Sequence, residues 1–263
     1  MKINKNSMSK IFRLACLSFW LMTSCVGSAK DATEIVNFTS DSTLENIENK
    51  IDQAFIKTQI QKKITPLNDL EKSILIGSDH MRVYWKCYLR YYQAIFYTVT
   101  IADKKACEGV LKDGIKSLED LKGKNSEDYA LLGLLQNFST QFANGMQAGI
   151  IAQRAKANLE KSLKLNKNNM RAHCVLGLQN FYTPEEYGGK KKVESHLKTA
   201  LSLPRRTENK PYFPSWGKNM AYETLVKYYL STKNYSQAKT YLSQALEEFP
   251  NDYLLNSLEA KMN

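Results

Sequence analysis

Histidine is scarce in this 263-residue chain, with three in all: His80, His173 and His196. None stands in an H-E-x-x-H or similar pattern, which removes the usual helical metalloprotease arrangement. Past Cys25 the cysteines are Cys87, Cys107 and Cys174. Their number is odd and their spacing matches no zinc motif, so no metal site is expected. A glycine-rich phosphate loop and a nucleophile elbow are both absent, and no spacing of carboxylates marks an acid–base pair. The apolar run from Leu14 to Met22 is far too short to cross a bilayer. Basic runs are not interleaved with aromatic residues as nucleic-acid recognition requires. No catalytic residue, cofactor or nucleic-acid partner is therefore expected.

The first 29 residues read as an export signal. Lys2, Lys5, Lys10 and Arg13 form a basic head without an acidic residue, and the short apolar run follows. Leu21-Met22-Thr23-Ser24-Cys25 resembles a bacterial lipoprotein box, which would make Cys25 the lipidated first residue of the mature chain. Gly27-Ser28-Ala29 offers an ordinary cleavage site instead. Either exit takes the chain out of the cytoplasm, to the periplasm or to an outer-membrane anchor. The formal net charge is +11 and stays positive without the four signal cations. The runs Lys190-Lys191-Lys192 and Arg205-Arg206 suit either an acidic ligand or a plain solvated surface. Cys87 and Cys107 fall on the two arms of one expected hairpin, so they are either a disulfide of an oxidising compartment or, with Cys174, small buried hydrophobes.

Residues 30–263 read as all-helical. Ser42-x-x-Glu45 is a capping box opening a helix with Leu44, Ile47, Ile51 and Phe55 at helical spacing. Thr65-Pro66 starts a second helix. A long aromatic helix runs from about His80 to Ile101, and its partner from about Asp103 to Leu121. Ser126 is expected to cap the next helix, whose return arm covers about Ala148 to Leu165. The segments 130–138 (Ala-Leu-Leu-Gly-Leu-Leu-Gln-Asn-Phe) and 174–181 (Cys-Val-Leu-Gly-Leu-Gln-Asn-Phe) are copies of one another, with Gly133 and Gly177 where two arms must approach closely. The last copy reads Tyr222-x2-Leu225-Val226-x2-Tyr229, then Ala238-x3-Leu242-x2-Ala245, then Pro250. This spacing resembles the tetratricopeptide repeat. The fold class implied is all-α: a right-handed superhelix of about four helical hairpins (79–263), preceded by N-terminal helices (30–78) and closed by a short helix at about 251–261.

Two inserts interrupt the repeats, at 183–189 and 204–217. Thr183 is expected to cap a single turn, with Pro184 first and Glu186 completing a capping box, and Gly188-Gly189 to end it. In the second insert Ser215 is expected to cap the last hairpin. Asn-Met-Arg-Ala-His (169–173), Tyr-Thr-Pro-Glu-Glu-Tyr-Gly-Gly (182–189) and Pro-Ser-Trp-Gly-Lys (214–218) together resemble a group of exported bacterial tetratricopeptide-repeat proteins frequent in Bacteroidetes envelopes. The likeness is good over about 168–252 and looser over 80–165. A more distant similarity links the Gly-Gly turn and following repeat to the periplasmic repeat component of TRAP transporters.

The face of the first arms is the expected working surface. Residues offset by two from the hairpin contacts point away from the partner arm. The offset selects Arg82, Trp85, Leu89 and Tyr92, then Leu134 and Asn137, then Arg171, Leu178 and Phe181, then Glu223 and Lys227. Such a mixture suits a peptide or partner protein of the cell envelope. The alternative is a small molecule bound by the inserts, with Tyr187, Tyr212, Phe213 and Trp216 as aromatic walls and Arg205 and Arg206 at the rim. Against each stands a structural reading, in which neighbouring helices fill the face and Trp216 plugs it.

Overall fold

A computed structural model describes residues 44–74, 80–206 and 212–262 of the chain. The export segment with Cys25 and the capping box at Ser42 lie outside the described residues. Within them the protein is all-helical. Helices α1 (Ile47–Gln61) and α2 (Thr65–Ile74) precede four hairpins: α3 (His80–Phe96) with α4 (Lys104–Asp120), α5 (Ser126–Ser139) with α6 (Gly145–Leu165), α7 (Met170–Tyr182) with α8 (Val193–Ser202), and α9 (Lys218–Ser231) with α10 (Tyr235–Glu248). Helix α11 (Tyr253–Met262) packs on the last hairpin. The aromatic helix α3 passes into a π-helical turn, Tyr97–Ile101, which ends where Ala102 turns left-handed at φ 58°.

The arms of each hairpin pack closely because small residues sit where they cross. A Cβ placed on Gly133 would come 2.6 Å from the Leu159 side chain, and one on Gly177 would come 2.3 Å from that of Leu197. The first arms α3, α5, α7 and α9 pack in chain order, and α1 lies against α3. Two hydrophobic cores result. One joins α1 to α7 and includes Trp216; the other joins α7 to α11. Helix α7 belongs to both, through Val175 and Leu176 on one side and Cys174 and Leu178 on the other. A helix apolar all round is one buried between two layers.

Several caps differ from the sequence expectation. Asn125, not Ser126, caps α5: its extended backbone lets the side chain accept from Glu127 and Asp128 N–H, and Asp128 answers with a reciprocal bond. Ser126 Oγ donates instead to the Ser162 carbonyl at 3.0 Å. The Thr183 capping box does not form. Thr183 Oγ1 donates back to the Gln179 carbonyl at 2.7 Å, which satisfies the preceding helix end, and Pro184 has no side-chain group with which to cap. Gly188, at φ 82°, does end the turn. Ser215 does not cap α9 either; Gly217 occupies that position at φ 106°. Among the described residues Cys87, Cys107 and Cys174 are buried free thiols, so Cys87 and Cys107 are not paired.

Candidate functional site

The face of the first arms is largely occupied by the chain's own residues. Trp216 is 3% exposed. Its indole stacks on Tyr88 at 5.1 Å and its Nε1–H donates to Tyr84 Oη at 2.8 Å. Trp85, also buried, donates its Nε1–H to the Tyr212 carbonyl at 2.8 Å. Ser215 donates through its N–H and its hydroxyl to the Glu48 carboxylate at 2.8 and 3.0 Å. The segment 212–216 is thus clamped between α1 and α3. Both buried indole N–H groups thus find an acceptor.

Beside this clamp lies a buried ion pair. The Arg171 guanidinium spans both oxygens of Glu127, with Nη2 to Oε1 at 2.6 Å and Nε to Oε2, and its Nη1 donates to the Arg205 carbonyl at 2.6 Å. Burial disfavours the Arg171 cation, but the Glu127 carboxylate more than offsets this and holds its pKa above the usual value. Arg205 Nε donates to the Ser215 carbonyl at 3.2 Å, so one chain of bonds ties α5, α7 and the second insert together. Removing either partner of such a pair would strand a buried charge, at about 3–5 kcal/mol.

Asp52 on α1 is the titratable group of this region. Burial pushes its carboxyl up to about 6, against the opposing effect of the Tyr92 hydroxyl, which donates to it at 2.8 Å; Glu48 adds to the rise. The thiols offer no nucleophile. Burial raises Cys87 to about 12 and Cys107 to about 11, leaving both as neutral thiols at neutral pH. His173 is half-buried and hydrogen-bonds the Lys167 carbonyl at 3.1 Å. No group of three or more metal-ligating side chains is found among the described residues.

The structure therefore corrects the exposed face read from the sequence. Arg82, Trp85, Leu89, Leu134, Asn137, Arg171, Leu178 and Phe181 are buried. Tyr92 is half-buried and committed to Asp52. The cause is that a first arm packs on its neighbours in the stack, and here also on α1 and segment 212–216, as well as on its own partner arm. Glu223 and Lys227 are partly exposed and paired with each other. Phe138 and Tyr182, one turn beyond Leu134 and Leu178, are also partly exposed and pack at the edges of the two cores.

The inserts form no aromatic pocket among the described residues. Trp216 is buried, the half-buried Tyr212 and Phe213 pack against each other at 5.7 Å, and Tyr187 stands apart at 67% exposed. Arg205 lies over the Phe249 ring at 5.1 Å, and Arg206 is half-buried. Lys190, from the basic run, lies over the Phe181 ring and donates to the Phe181 carbonyl. Sequence reasoning missed Glu48, Asp52 and Glu127. The first two were marked by their spacing: acids four apart on a helix whose other periodic positions are apolar.

No family model matches the chain, and no curated protein matches it. Among solved structures, the chain is similar to a thermophilic tetratricopeptide-repeat protein of Thermus thermophilus, with a TM-score of 0.57 at 16% identity over 82% of this chain and 98% of that one. With the four hairpins and the glycine crossings in the second and third, this likeness gives the chain a tetratricopeptide-like fold.

Proposed function

We propose that the chain is a non-enzymatic protein-interaction module of the cell envelope, which binds a partner protein or peptide along the open part of its first-arm face. The observation that supports this most is the run of side chains that keep partial exposure on three successive first arms: Phe138 on α5, Tyr182 on α7, and Glu223 with Lys227 on α9. Aromatic and charged groups on stacked helices suit an extended or helical peptide. Export, and lipid attachment at Cys25, rest on the sequence and its resemblance to exported repeat proteins.

The test is a cross-linked capture from the native envelope, comparing the wild type with a charge swap, Glu223→Lys/Lys227→Glu. The swap keeps an ion pair within α9, at a cost of only a few tenths of a kcal/mol, while inverting the charges shown to a partner. A partner that docks here should be captured about tenfold less well by the swapped chain. Equal capture by both chains would remove this face from the interaction. Leu178 and Phe181 are unsuitable for such a test because they sit in the second core.

A further inference from the structure

A second surface lies at the far end of α1. Its last two turns carry Ile56 and Ile60, four residues apart and so on one stripe, 48% and 76% exposed. Beside it the π-helical end of α3 presents Ile101, also 48% exposed. The two tips are held together: Thr100 Oγ1 donates to Gln59 Oε1 at 2.8 Å, joining the residues next to Ile101 and Ile60. Both tips end in defined backbone turns. Ala102 and Asp103 N–H both bond the Tyr97 carbonyl, and Lys62 closes α1 in the left-handed region at φ 53°. Exposed lysines follow on each side: Lys57, Lys62 and Lys63 on the α1 tip, Lys104 and Lys105 on the α3–α4 tip. Two acids stand near, Asp103, which caps α4, and Glu108, which pairs with Lys104 at 3.7 Å.

We infer that this corner, Ile56, Ile60 and Ile101 among Lys57, Lys62, Lys63 and Lys105, docks onto an anionic lipid surface. Apolar side chains on protruding tips, with cations around them, match a bilayer interface: the isoleucines enter the acyl boundary and the ammonium groups stay at the headgroups. A folded acidic partner would instead need a cavity shaped to the protruding Ile60. Each isoleucine gains by leaving water, and each lysine by nearing an anionic surface. Neither group alone gives stable attachment. Together they orient the molecule on a membrane, whether or not Cys25 carries lipid, and the site is independent of the first-arm face.

The experiment is co-sedimentation of the exported full chain carrying Cys25→Ser, so that no acyl group contributes. The vesicles are phosphatidylcholine alone, or about one part phosphatidylglycerol to two parts phosphatidylcholine. Binding is expected on the phosphatidylglycerol vesicles only, weakening as salt rises. Ile56→Ser/Ile60→Ser and Lys62→Glu/Lys63→Glu should each reduce it about tenfold or more, with circular dichroism unchanged because all four positions are exposed. Lys191→Glu/Lys192→Glu, the same charge change at another exposed site, should bind like the parent. The inference is overturned if binding is equal on both vesicles, if the isoleucine variant binds like the parent, or if the Lys191/Lys192 variant loses as much as the Lys62/Lys63 variant. That last result would mean attraction by net charge alone.

Discussion

Asp52 shows how one buried residue sets a pH dependence. Its carboxyl is raised from 3.8 to about 6, chiefly by burial. Between those values the folded protein keeps a proton that the unfolded chain releases. The protonated group therefore favours folding fully below about pH 4, and that contribution is lost as the pH rises through about 6. Asp52→Asn keeps an acceptor for the Tyr92 hydroxyl but has no charge to bury. It should stabilise the protein by about 1–3 kcal/mol at pH 7 and by almost nothing below about pH 4. Urea unfolding of both chains at the two pH values checks this. A gain that is the same at both would show that ionisation of Asp52 is not the cause.

At the scale of the element, the hairpins depend on a missing side chain. An added methyl at Gly177 would overlap the Leu197 side chain, its Cδ2 being 2.3 Å from the ideal Cβ position, so Gly177→Ala must push α7 and α8 apart. A cost of about 1–3 kcal/mol is expected. In the background of Leu197→Ala, which removes the obstructing atoms, the same substitution should cost much less. A double-mutant cycle by denaturant unfolding measures the difference, and additive effects would sink the close-contact account. This crossing was legible in the sequence because Gly133 and Gly177 recur at the same place in two copies of the repeat. The tetratricopeptide spacing of 222–250 was legible for the same reason, since the period fixes which side chains meet. The caps were less so. Asn125-Ser126 puts two residues able to cap side by side, and backbone angles the sequence does not state decide between them; Thr183 gives its hydroxyl to the end of the preceding helix instead. Ser215 was misread because its partner, Glu48, is distant in sequence.

For the whole molecule, the open question in the sequence was whether the first-arm face is free, and periodicity could not answer it. The offset rule identifies which residues face away from a partner arm, but it carries no information on what comes back to cover them. The covering elements are far apart in sequence, α1 ahead of the repeats and segment 212–216 between the third and fourth hairpins, and they meet only in the fold, through Ser215 and Glu48. Closure of the face has an optical signature. The chain has three tryptophans, of which Trp85 and Trp216 are buried here, so a Trp20→Phe chain reports on these two alone. Its emission should lie to the blue and resist quenching by acrylamide until urea unfolds the protein. A large quenchable fraction in the folded state would mean that 212–216 leaves the face, because Trp216 is held by contacts from outside its own segment. Trp216→Ala should cost about 3–5 kcal/mol, the usual penalty for deleting a buried tryptophan, since it removes the stack on Tyr88 and leaves the Tyr84 hydroxyl without its donor. If the loss is instead below about 1 kcal/mol, the segment is a cover the fold does not need. The stretch of α3 that it covers, at Tyr84, Trp85 and Tyr88, would then be available to a partner.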